Sequence, residues 1–225
     1  MNSAGKTSED FSAKVIKSWE ESDEIHNCDP EKTSLFLFLR KINQPKAGIL
    51  KIESKHTDIF PLSQSQRALW LSNQNGTKSA LWHFALTFRI QSEVDVSALR
   101  GAFQELMNRH PSLRTTFSFH NGEPFQEVNR NQQICFEQID TTNLTWEEIN
   151  NQIAISCQHS FNLKKGPLMR VSLFSRTQEE HFLLLHMHQI IFDAWSSLIL
   201  LDELQILYSA QKAGTSAFLM PPQCH

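Results

Sequence analysis

The sequence predicts an α/β sandwich in which a mixed sheet is covered by helices. Apolar residues alternate with polar ones over 82–90, the period of a strand with one buried face. Leu99, Ala102, Phe103, Leu106 and His110 then follow at helical spacing, so one strand feeds one helix. A polar turn at 177–180 joins two apolar runs of strand length, 168–176 and 181–188.

Taken in chain order, residues 1–57 read as a polar leader or linker. Phe11, Val15, Ile16 and Trp19 outline one short amphipathic helix, residues 35–42 a short apolar helix, and residues 49–52 a strand. The stretch reads as a linker whose apolar run packs against the main domain; helix then strand ahead of that domain is also similar to the docking elements of the family that the motifs below resemble. The main domain is expected over 58–225. In the strand at 82–90, Trp82, Phe84, Leu86, Phe88 and Ile90 share a face and His83, Ala85, Thr87 and Arg89 the other. Asp95 or Ser97 is available to cap the following helix. Strands at 113–119 and 125–128 flank Asn121-Gly122, which supplies the positive φ values of a tight hairpin. Thr145-Trp146-Glu147-Glu148 is a capping box that opens a helix to about Gln158. A last helix spans 196–212 and stops at Gly214.

Composition narrows the function. The chain has 225 residues, is 40% hydrophobic and carries a formal net charge of -3, which allows one substantial core or one core plus an appendage and gives no electrostatic reason for a nucleic-acid or anionic-membrane partner. No apolar run is long enough to span a bilayer and the start lacks a signal peptide's hydrophobic stretch, so a cytoplasmic location is expected. Cys28, Cys135, Cys157 and Cys224 are widely separated and form no metal-type pair; reduced structural thiols are expected.

Four segments, in order, carry a family resemblance. Pro61-Leu62-Ser63-Gln64-Ser65-Gln66-Arg67-Ala68-Leu69-Trp70 resembles a PLSxAQxxLW opening, with Ser65 where alanine is usual. Arg109-His110-Pro111-Ser112-Leu113-Arg114-Thr115-Thr116-Phe117 matches RHxxLRTxF, and Phe161-Asn162-Leu163 with Gly166-Pro167-Leu168-Met169-Arg170 resembles F-(D/N)-L-x-x-GPLxR. His188-Gln189-Ile190-Ile191-Phe192-Asp193-Ala194-Trp195-Ser196 resembles HHxxxDGxS. Together they resemble the condensation domains of nonribosomal peptide synthetases. That resemblance implies a chloramphenicol-acetyltransferase-like lobe and an amide-forming acyltransferase. The substrates would hang on the phosphopantetheine of peptidyl or acyl carrier proteins, with no cofactor or metal bound by the domain itself. It covers about residues 58–222 and corresponds to the N-terminal lobe. A complementary C-terminal lobe or synthetase subunit is therefore an expected partner.

The signature departs from the family at two positions. The catalytic histidine falls on Gln189, which is not basic near neutral pH, although its amide oxygen can accept a hydrogen bond. The glycine falls on Ala194, where a methyl group would strain a backbone of positive φ or obstruct a pantetheine thioester. Together these imply impaired or lost activity. His188 corresponds to the supporting histidine, and from the residues alone it reads equally as a packed histidine bonded to nearby backbone. Parity places His186 beside His188 and away from position 189. A zinc site on His186-x-His188 lacks a third ligand at recognisable spacing. In the family the signature aspartate forms an internal salt bridge, so Asp193 is expected to pair with Arg109 or Arg114. Function therefore stays open between an amide-forming lobe, a non-catalytic module that binds carrier proteins or synthetase subunits, an inert remnant, and a free-standing acyltransferase using a soluble acyl thioester.

Overall fold

In the computed structural model of the chain, residues 58–74, 82–120 and 122–219 are described. The helices and strand expected within 1–57 lie outside these residues. The described order is β1 (Asp58–Pro61), α1 (Gln64–Gln74), β2 (His83–Ile90), α2 (Val96–Arg109), a 3₁₀ turn (Pro111–Arg114), β3 (Thr115–His120), β4 (Glu123–Val128), β5 (Cys135–Asp140), α3 (Trp146–Gln158), β6 (Met169–Ser175), β7 (His181–His188) and α4 (Ala194–Ala213).

Caps explain most boundaries. Asp95 is the N-cap of α2 and accepts the Ala98 N–H at 2.9 Å. Thr145 and Glu148 form the capping box of α3, and Gly214 closes α4 at φ +65. The strand expected from residue 113 starts at Thr115 instead, because Pro111, with its fixed φ, opens a 3₁₀ turn first. Three elements escaped the period reading: β1, whose four residues are too few to show one, α1 and β5. α1 begins with Ser63 and Gln66 exchanging backbone and side-chain bonds at 2.9 and 3.2 Å, a capping box of the Ser-x-x-Gln type. β5 buries only Phe136 fully, so its sequence shows little alternation.

The strands form two sheets, β1-β4-β3 and β2-β7-β6-β5. In the larger one β5 runs parallel to β6 while the other pairs are antiparallel, so it is mixed as expected; the β3–β4 hairpin leaves it to build the smaller sheet with β1. Along β7, Leu183, Leu185 and Met187 join a core with Leu99, Phe103 and Leu106 of α2 and Leu200, Leu204 and Leu207 of α4. Phe182 and Leu184 of the same strand pack with Ile149 and Ile153 of α3 on the opposite face. Helices thus cover both faces of the sheet, and all eight residues of β7 are buried. Burying side chains such as Leu106 or Leu185 completely stabilises the fold by roughly 2 kcal/mol each. A central strand fixed this firmly presents whatever follows it at a defined place.

Candidate functional site

The strand β7 ends at His188 and the chain turns at once. The His188 N–H donates to the Leu168 carbonyl at 3.0 Å, and the Gln189 N–H donates to the Trp82 carbonyl at 2.8 Å. The turn continues through Ile191 N–H to His188 O at 3.2 Å. Ile190, Ile191 and Phe192 are buried, whereas Gln189, Asp193, Ala194 and Trp195 are exposed. Gln189 therefore stands at the solvent edge on an anchored backbone, while the apolar residues between it and Asp193 hold the loop down.

His188 is fully buried, and its Nδ1 accepts the Ile190 N–H at 3.1 Å. That bond places the ring proton on Nε2 in the neutral form. His186 lies two residues back on the same face, as parity requires, with Nε2 at 3.1 Å from Nδ1 of His83 on β2. His83 meets both rings edge-on, at centroid distances of 4.9 Å to His186 and 5.7 Å to His188. Phe161, from the third motif, packs against the same imidazoles. Burial disfavours charge on all three histidines: His186 and His188 are held at about 4, with the neighbouring His83 adding to the effect, and His83 is lowered too, against a smaller opposing effect of the Cys157 backbone. The imidazoles are neutral bases turned away from Gln189. Among the described residues no group of three or more His, Cys, Asp or Glu is arranged to hold a metal ion.

The salt bridge expected for Asp193 is corrected by the structure. Its Oδ1 accepts the Ser196 N–H at 2.8 Å and the Ser196 hydroxyl at 2.6 Å, making Asp193 the N-cap of α4. The two arginines are engaged elsewhere. Arg109 Nε donates to Glu203 at 3.0 and 3.1 Å, and Arg114 Nη1 donates to the Asn129 carbonyl at 2.8 Å. An exposed carboxylate is solvated and needs no cationic partner. The strain expected at Ala194 is corrected as well: it is the first residue of α4, a right-handed position where alanine is at ease.

The remaining motif residues brace this loop. Gln66 Nε2 reaches the Ile190 carbonyl at 3.5 Å and Gln126 Oε1 at 3.3 Å, tying the opening segment to the signature turn. Trp70 is buried and stacks on Phe119 with ring centroids 5.5 Å apart. Glu203 receives His110 Nε2 at 2.6 Å as well as Arg109, so the Arg-His pair at the end of α2 grips α4. Arg170 donates to the His159 and Ser160 carbonyls and covers the Phe161 ring at 4.7 Å. Ser63 serves α1 alone. Sequence reasoning missed Trp82, His83 and Glu203; His83 was placed on the polar face of its strand, but only the pairing of β2 with β7 sets it opposite His188.

A family model described as Condensation domain matches residues 56–223. Malpinin synthetase of Mortierella alpina is 33% identical over 185 residues, which is 80% of this chain and 2% of that protein. Bacitracin synthase 2 of Bacillus licheniformis is 33% identical over 189 residues, 84% of this chain and 7% of that protein. The chain thus spans a small fraction of the synthetases it resembles. Among solved structures, the starter condensation domain of rhizomide synthetase is similar with a TM-score of 0.65 at 20% identity, over 71% of this chain and 41% of that one. The X-domain in its complex with OxyB from teicoplanin biosynthesis gives 0.67 at 23% identity, over 80% and 38%. These likenesses agree with the chloramphenicol-acetyltransferase-like fold expected from the motifs.

Proposed function

The chain belongs to the condensation-domain family, and from that premise we propose that it forms the signature-bearing side of a site for amide formation in nonribosomal peptide synthesis, working by orientation and not by proton abstraction. The observation that carries this reading is the position of Gln189, exposed at the end of β7 with its N–H bonded to Trp82. In the proposed step a carrier-bound amine attacks the carbonyl carbon of an acyl thioester held on a second carrier's phosphopantetheine. The C–N bond forms, the C–S bond breaks, and the pantetheine thiol leaves with the proton lost by the amine. Gln189 accepts a hydrogen bond from the amine through its amide oxygen and holds it toward the carbonyl. Its carboxamide takes no proton, so solvent serves as base. Fixing the approach of two reactants supplies a large part of an aminolysis barrier, which supports retained though slow turnover. A general base contributes about 10²–10⁴-fold, the deficit this reading assigns to glutamine. His188 acts through packing: its bond to Ile190 shapes the turn on which Gln189 stands.

The same feature favours a second reading, a carrier-protein or subunit-binding module without turnover, because the exposed signature residue is not a base. The two separate in one experiment. The full polypeptide that contains this chain is loaded with an acyl donor and an aminoacyl acceptor, and amide product is compared with that of Gln189→His and Gln189→Ala. Slow product from the parent, a marked gain in Gln189→His and a loss in Gln189→Ala support the orienting site. No product from any of the three, with carrier binding intact, supports the binding module. Product from a soluble acyl thioester in preference to the carrier-bound one overturns the synthetase reading.

A further inference from the structure

On the face of the large sheet away from α2 and α4, a small cavity of about 40 Å³ is lined by Cys135 and Glu137 of β5, Arg170 and Ser172 of β6, His186 of β7, and Ser156 and His159 at the end of α3. His186 is 1% exposed, its Nε2 is engaged by His83, and its Nδ1 has no protein partner. The strand order β2-β7-β6-β5 sets His83 on one side of His186 and the cavity on the other. We propose that this cavity is a bound-water site, and that its water donates to Nδ1 of His186 and completes one hydrogen-bonded line from the cavity through His186 to His83.

Size, lining and the orphaned nitrogen lead to the same occupant. A water needs roughly 10–15 Å³ and two to four polar partners, and Ser156, Ser172 and Glu137 line this cavity beside His186. An unsatisfied buried nitrogen costs about 1–3 kcal/mol, which one water removes. An organic ligand requires several hundred Å³. An anion would face Glu137, and the Arg170 guanidinium already donates to the His159 and Ser160 carbonyls. For a metal, no three ligating side chains among the described residues are suitably arranged.

The line has a direction. With water donating to Nδ1, the His186 proton sits on Nε2 and is donated to Nδ1 of His83, so both imidazoles are neutral and each is locked in one tautomer. The groups around the pair are His188, His159, Arg170, Glu137 and Cys135. Burial first, then the neighbouring His83 and the Arg170 guanidinium, disfavour protonation of His186.

The test uses the intact chain with ¹⁵N-labelled histidine near neutral pH, together with a crystal structure that resolves waters. The expected result is a single His186 tautomer, unprotonated at Nδ1, and a water within hydrogen-bond distance of that atom. Ser156→Leu, which fills the cavity from the helix side, is expected to expel the water and shift the ¹⁵N resonance of Nδ1 while the chain stays folded. A protonated Nδ1 bonded to a protein group, a dry cavity, or an unchanged Nδ1 resonance in folded Ser156→Leu overturns the proposal.

Discussion

Gln189 and His188 are neighbours in sequence with opposite environments: the glutamine is exposed, and the imidazole has no exposed surface. Alternation at the end of a buried strand produces that contrast, and it allows the exposed residue to change without disturbing the core. Gln189→His is therefore expected to leave stability within about 0.5 kcal/mol of the parent, as exposed substitutions do, while raising condensation; denaturant titration alongside turnover checks both. His188→Ala is expected to cost about 2–4 kcal/mol, since it opens a cavity and leaves the Ile190 N–H without its acceptor. The parity of His186 and His188 was legible in the sequence because strand period is rigid. The partner of Asp193 was not. Capping by the residue before a helix and pairing with a distant arginine both suit an aspartate, and the Asp-x-x-Ser spacing that favours the cap was masked by the family expectation.

At the scale of elements, α4 is set in place at its start and at its middle. Asp193 caps its first turn, and Glu203, halfway along its 20 residues, is gripped by Arg109 and His110 of the second motif. Asp193→Ala is expected to cost about 1 kcal/mol, the usual value of an N-cap. Glu203→Ala is expected to cost about 1.5–3 kcal/mol, because it removes the carboxylate that the part-buried Arg109 and His110 share. If thermal or denaturant unfolding ranks the two the other way, the clamp is not the main fastening of α4. Gly166 marks a second fixed point: at φ +58, an added Cβ would lie 3.0 Å from the Thr116 methyl, so the glycine of the third motif answers both backbone and space. A capping box and turn glycines made α3, the end of α4 and the β3–β4 hairpin readable from sequence. β5 was not readable, because a strand at the edge of a sheet with one fully buried residue carries almost no period.

For the whole molecule, the consequence of two buried imidazoles, His186 and His188, and the half-buried His83 beside them is a dependence of stability on pH. Their folded pKa values lie below the ordinary 6.5, at about 4 for His186 and His188, so in the window between those values the unfolded chain binds more protons than the folded one. Stability is then undiminished above 6.5 and falls as the pH drops toward 4, by up to about tenfold in the folding equilibrium per histidine per pH unit. Denaturant midpoints measured across this range are expected to decline on acidification, and His186→Phe is expected to flatten the decline; a midpoint constant down to about pH 4.5 would show that the imidazoles are not buried in solution. The division of the sheets was only partly legible at this scale. The hairpin of β3 and β4 is written in local turn chemistry, but its choice of β1 over the larger sheet depends on long-range packing that no local pattern records.

The proposed role of Gln189 is to orient an amine at the strand end without a side-chain base. The pH dependence of a single-turnover condensation in the full polypeptide carrying this chain tests that role most directly. The predicted result is a rate that follows the ionisation of the acceptor amine alone, near 8 for an α-amino group, with an added inflection near 6.5 appearing only in Gln189→His. An imidazole-like inflection in the unmodified protein would contradict that role, since it would place a functioning base at the site.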